Sequence, residues 1–140
     1  MIKFEKLPED ILERLSAARD LLLQDENVIF AYIFGGLARG EVRPLSDVDI
    51  AVYVKQKEHL SEYKMLLFEE ITKALGTTEV DLVILNTASV CISGRILQNK
   101  QILVDKSPFQ RHAYESLTLR EFLDFKIKED FFFKRRYGIG

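Results

Sequence analysis

The sequence predicts an α+β domain in which a small β-sheet is covered by helices, and three observations carry that reading. Val28 to Phe34 is a β-branched and aromatic run that stops at Gly35-Gly36, as a buried strand entering a tight turn would. The segments 47–54 and 79–85 alternate with period two, the spacing of a strand with two different faces. The segments 8–24 and 58–75 carry apolar residues at helical spacing. At 140 residues the chain reads as one domain, residues 1–140, with room for a core but not for a second domain of ordinary size.

Each element has its own signal. In 8–24, Pro8 suits a first helical turn, Glu9 and Asp10 favour its positive end, and Ile11, Leu15, Ala18 and Leu22 share a face. After the strand at 28–34, Leu37 to Glu41 reads as a short helical turn, and 42–45, with Pro44, as a loop back to the sheet. In the next strand Val48, Ile50, Val52 and Val54 point one way, toward a core, while Asp47, Asp49, Ala51 and Tyr53 point the other. The helix at 58–75 presents Leu60, Tyr63, Leu67, Ile71 and Ala74, and Gly76 is placed to end it. In the strand at 79–85, Val80, Leu82 and Ile84 share one face, and Asp81 lies on the other with Val83 and Leu85. A short helix at 89–98, a turn at Asn99-Lys100 and a brief strand at 101–104 follow. Thr118 and Glu121 stand at capping-box spacing, which predicts a closing helix over about 118–136. Phe131, Phe132 and Phe133 cannot all face one side of it, so at least one is expected to be exposed or at a contact.

Composition excludes several classes. With 47% hydrophobic and 30% charged residues the chain is globular in type, and a net charge of -2 lacks the basic excess of a nucleic-acid binder. No apolar run approaches the ~20 residues that span a bilayer, which excludes membrane spanning. The single cysteine, Cys91, cannot form an internal disulfide, and the first ten residues lack a signal-peptide layout, so a cytoplasmic protein is expected.

The chemistry concentrates between Ile33 and Val54. Asp47 and Asp49, two apart on a strand, project from one face, where their repulsion calls for a cation; Mg²⁺, a hard ion that takes oxygen ligands, is the natural candidate. If Asp81 reaches the same end of the sheet, three carboxylates could hold two ions ~3.5 to 4 Å apart, the clamp of phosphoryl and nucleotidyl transfer. Gly35 and Gly36 let the backbone approach an anion. A calcium-loop reading fails, because Ile50-Ala51 follows Asp49 where an EF-hand needs its glycine and distal glutamate.

Gly35-Gly36-Leu37-Ala38-Arg39-Gly40, then Ser46-Asp47-Val48-Asp49-Ile50, resembles the signature G-S-x-A-R-G-x5-S-D-x-D-[LI] of the minimal nucleotidyltransferases, a branch of the DNA polymerase β-like superfamily. Asp81, in Val80-Asp81-Leu82-Val83, occupies the place of that family's third acid. The resemblance implies the nucleotidyltransferase fold with a small mixed sheet. It also implies a site in which Asp47 and Asp49 hold the ion that grips ATP, and both hold a second ion with Asp81, which accepts the proton of the attacking hydroxyl. Gly35, Gly36, Arg39 and Ser46 would meet the nucleotide, although Arg39 could equally pin the loop and Ser46 could order it. One position departs: Gly36 stands where the family has serine, which predicts a weaker hold on the triphosphate.

The resemblance extends to minimal nucleotidyltransferase antitoxins, which implies a HEPN-family ribonuclease toxin as partner and a toxin tyrosine as the acceptor of AMP. Two other functions stay open: an antitoxin that neutralises by binding alone, and a transferase acting on small antibiotic-like acceptors. His112-Ala113-Tyr114 is similar to the tail of the toxins' own R-x4-6-H-x-Y motif, but no arginine stands at the required distance, so it reads as coincidence and Tyr114 as a core or interface aromatic. His59 reads as surface, and Cys91 as a small packed hydrophobe.

Overall fold

In a computed structural model, which describes residues 11–40 and 47–138, nine elements run in the order α1 (Ile11–Gln24), β1 (Val28–Phe34), α2 (Gly35–Ala38), β2 (Val48–Val54), α3 (Leu60–Leu75), β3 (Val80–Ile84), α4 (Val90–Gln98), β4 (Lys100–Asp105) and α5 (Pro108–Tyr137). The four strands form one mixed sheet in the order β3-β2-β1-β4. β1 pairs antiparallel with both β2 and β4, and β2 pairs parallel with β3. Pro8 to Asp10, the loop at 42–45 and Ser46 fall outside the described residues.

The period-two pattern sorts the sheet into two cores. Val48, Ile50, Val52 and Val54 of β2, with Leu82 and Ile84 of β3, meet Leu15, Ala18 and Leu22 of α1 and Leu67, Ile71 and Leu75 of α3 in the larger cluster. The opposite face is also packed along much of its length: Phe30, Tyr32, Ala51 and Leu85 bury against Ile96 and Leu97 of α4, with Tyr53 and Tyr114 at the margin. Tyr114 is thus a core aromatic, its ring 5.5 Å from Phe30 and 5.1 Å from Tyr53. The sequence anticipates a core on one face; the structure builds one on each, because α4 and α5 cover the second.

Two boundaries move for local reasons. α2 begins at Gly35, so the glycine pair opens the helical turn instead of preceding it. α5 begins at Pro108, ten residues before Thr118: the Ser107 hydroxyl accepts from Gln110 N at 3.3 Å and Pro108 fills the first turn. Thr118 is buried within the helix and caps nothing. Past Phe122, which packs on Gly94 of α4, every described side chain of α5 is exposed. The pairs Lys128–Asp124 and Lys134–Asp130 brace that half. Phe131, Phe132 and Phe133 are all exposed there. Among the described residues no helix is long and apolar enough to cross a membrane.

Candidate active site

At one end of the sheet the strand register lines up the residues that matter. On the face opposite α1 and α3, Lys100 of β4 stands across from Phe34, Phe34 across from Asp49, and Asp49 across from Asp81. Asp49 and Asp81 are therefore neighbours on adjacent strands, about 4.8 Å apart in the pairing direction. Asp81 is exposed and Asp49 half-buried. Asp47, also half-buried, lies two residues upstream of Asp49 at the entrance to β2.

The glycine turn abuts this row. Phe34 leaves β1 extended, and Gly35 turns with φ +71°, a conformation that glycine adopts without penalty. A Cβ at Gly35 would lie 2.2 Å from Asp49 Oδ2, so no other residue fits while that carboxylate keeps its place. Gly36 differs. It lies inside α2 and is not among the positive-φ glycines, so its backbone would accept a serine. Arg39 ends α2, its N–H donating to the carbonyls of Gly35 at 3.3 Å and Gly36 at 3.1 Å, and its side chain is exposed.

The carboxylates are the right donors for a hard divalent cation and the wrong ones for a thiophilic metal. As placed, however, no three His, Cys, Asp or Glu side chains among the described residues are gathered closely enough to hold an ion. The structure unites Asp49, Asp81 and Gly35, sets Asp47 and Gly36 beside them, and leaves Ser46 outside the described residues.

Two supports have no motif. Gln101 Nε2 donates to Ala38 O at 2.6 Å, tying the end of α2 to β4. Beneath the acidic row, Glu115 of α5 accepts from the Tyr32 hydroxyl at 2.7 Å and pairs with Lys100 at 3.2 Å and Arg111 at 3.0 Å, while Arg111 Nε reaches Asp105 at 2.8 Å. Burial alone would raise the pKa of Glu115, but the Tyr32 hydroxyl and the cations Lys100 and Arg111 outweigh it and hold it below the ordinary carboxylate value. Burial, with the bond to Glu115, pushes the Tyr32 phenol far upward. The i, i+4 spacing of Arg111 and Glu115 is visible in the sequence once the helix is known to start at Pro108; their partners on β1 and β4 are not.

The model of the family "Polymerase beta, Nucleotidyltransferase" matches residues 17–109, about two thirds of the chain, and the chain belongs to that nucleotidyltransferase family. No curated protein sequence matches it. Among solved structures it is similar to a chain of a toxin-antitoxin crystallised with AMP-PNP, at 20% identity and a TM-score of 0.71 over 85% of this chain and 95% of that one. It is similar as well to a chain of the toxin-antitoxin MntA-HepT, at 18% identity and a TM-score of 0.67 over 89% and 97%. A third likeness is to a chain of the tri-AMPylated Shewanella oneidensis HEPN toxin in complex with its MNT antitoxin, at 18% identity and a TM-score of 0.65 over 86% and 97%. At these identities the likeness establishes the shared fold.

Proposed function

We propose that the chain, as one minimal nucleotidyltransferase domain spanning residues 1–140, is a Mg²⁺-dependent antitoxin that moves AMP from ATP to a tyrosine hydroxyl of a HEPN ribonuclease toxin in the cytoplasm. The observation that carries the reading is the pairing of Asp49 with Asp81 in register, with Asp49 pressed against Gly35 at the turn. Support for the partner comes from the antitoxin complexes whose fold the chain shares.

Asp47 and Asp49 would hold an ion on the triphosphate, and both would hold a second with Asp81, which requires the carboxylates to draw together when the nucleotide arrives. Magnesium bound there screens phosphate charge and lowers the pKa of a nearby hydroxyl. With no Cβ at Gly35, the Asp49 carboxylate has room to lie against the glycine turn, beside the loop that would meet the phosphates. Asp81, the most exposed of the three acids, accepts the hydroxyl proton as the oxygen forms its bond to the α-phosphorus. The bond from that phosphorus to the bridging oxygen breaks, and pyrophosphate leaves. Arg39 and Ser46 belong to the phosphate-binding loop, with Gly36 offering backbone but no hydroxyl.

The test combines the chain, a candidate HEPN toxin, ATP and Mg²⁺, and weighs the toxin by mass spectrometry. An adenylyl adduct is expected on a tyrosine, falling by about 10²-fold or more with Asp47→Asn. Gly36 favours one second reading, an antitoxin that acts by binding. Growth rescue by Asp47→Asn without an adduct would establish that reading instead.

A further inference from the structure

We propose that the open edge of β3 receives an extended segment of the acceptor protein as a fifth strand, and that this strand delivers the hydroxyl to Asp81. The inference rests on Asp81 as the proton acceptor of the reaction proposed above. Among the described residues, sheet order leaves β3 on an edge. Val48 N donates to Glu79 O at 2.9 Å and Leu85 N to Val52 O at 2.8 Å, so in this parallel ladder residues 79, 81, 83 and 85 turn their backbone groups toward β2. Val80, Leu82 and Ile84 turn theirs outward. Val80 N–H is taken by Thr78 O, and Ile84 O accepts from Thr87 N. The Val80 carbonyl, both groups of Leu82 and the Ile84 N–H then form a row suited to an added strand.

A trough runs along that row. Two cavities of about 470 and about 490 Å³ lie along the edge and share Lys64, Asp81 and Leu82. α3 forms one wall with Leu60, Met65 and Phe68, and Ile92 of α4 stands on the other side. The floor is narrow, since Leu82 and Ile84 keep 3% and 5% of their surface, and an entering strand must push aside the lining side chains of Lys64 and Ile92. Both project from helix surfaces, and Ile92 is half exposed.

Register selects the acceptor. A residue paired beside Asp81 with its side chain on the acidic face extends the row Phe34, Asp49, Asp81 by one strand spacing, about 4.8 Å. Its two neighbours point to the other face, toward Leu60, Met65 and Phe68. The segment is therefore a hydroxyl residue with apolar residues on either side, in extended form. The opposite edge cannot serve, because in that row β4 presents Lys100, which Glu115 already engages at 3.2 Å.

The experiment follows amide hydrogen exchange at Leu82 and Ile84 when a HEPN toxin that the chain adenylylates is added with α,β-methylene ATP, whose α–β linkage resists transfer. Exchange at both amides should slow at least tenfold. Ser61→Trp, on the exposed surface of α3 beside the trough, should abolish that protection and cut adduct formation from ATP at least tenfold with the affinity for the analogue unchanged; Ala88→Trp tests the opposite wall the same way. Unchanged exchange at Leu82 and Ile84, or wild-type adduct formation by both tryptophan variants, would overturn the proposal. Protection of the amides by a HEPN toxin that takes no adduct from ATP would uphold docking at β3 and sink the transfer reaction instead.

Discussion

The two faces of the sheet are made by the same strands and end differently. Toward α1 and α3, β2 presents Val48, Ile50, Val52 and Val54, and all four are buried. Toward α4 and α5 it presents Asp49, Ala51 and Tyr53, of which only Ala51 is fully buried and Asp49 and Tyr53 are half-buried. α4 and α5 cover the Phe30, Tyr32 and Leu85 region but leave the row of Asp49 and Asp81 open. A carboxylate kept at that uncovered end avoids the desolvation cost that it would meet anywhere on the first face. The lesson is that the site is a gap in coverage: a strand pattern continues unbroken through it, and only the lid is missing.

That contrast can be broken from the closed side first. Ile71 is fully buried among the residues of the larger core, and Ile71→Ala should cost about 2–5 kcal/mol of stability. Urea denaturation would measure it, and adduct formation per folded molecule should not change. A loss of transfer without a loss of stability would mean that the closed face helps the chemistry directly.

A smaller effect is expected at the open side. Gly36 is not held to a positive φ, so Gly36→Ser restores a hydroxyl without backbone strain. A regained bond to charged phosphate is worth about 1.5–3 kcal/mol, or roughly 10- to 150-fold in ATP affinity by titration calorimetry. Unchanged affinity would remove Gly36 as the reason for a weak site.

The smallest effect belongs to the seam between the two regions. Because Glu115 has a lowered pKa in the folded chain, its contribution to stability is complete above the ordinary carboxylate pKa and is lost as pH falls through the folded value. Melting temperature should therefore drop more steeply on acidification in the wild type than in Glu115→Gln, which cannot take up that proton. Equal slopes in the two proteins would show that the Tyr32–Glu115–Arg111 cluster carries no linked stability.

Much of this was legible in the chain. Val28 to Phe34 is read from its unbroken β-branched and aromatic run, and Val48 to Val54 and the third strand from period two, since a half-buried strand alternates whatever it packs against. The acids and the glycine pair are legible because their chemistry demands those residue types at short spacing. The start of α5 was missed because a capping-box spacing at Thr118 and Glu121 outweighed the local Ser107-Pro108 signal. Gln101 and Glu115 were missed because each bonds a partner more than sixty residues away, and Lys100 because its ion pair with Glu115 joins a strand to a helix; no local pattern marks such pairs.

By itself the sequence determined most of the elements, the two acids at the start of β2 and the family signature around them, because these depend on neighbours within a few positions. Only the tertiary structure decided that Asp81 stands beside Asp49, that Gly35 has no room for a side chain, and that β3 is an edge. Those follow from strand order and register, which are fixed by how whole faces pack and not by any one stretch of chain.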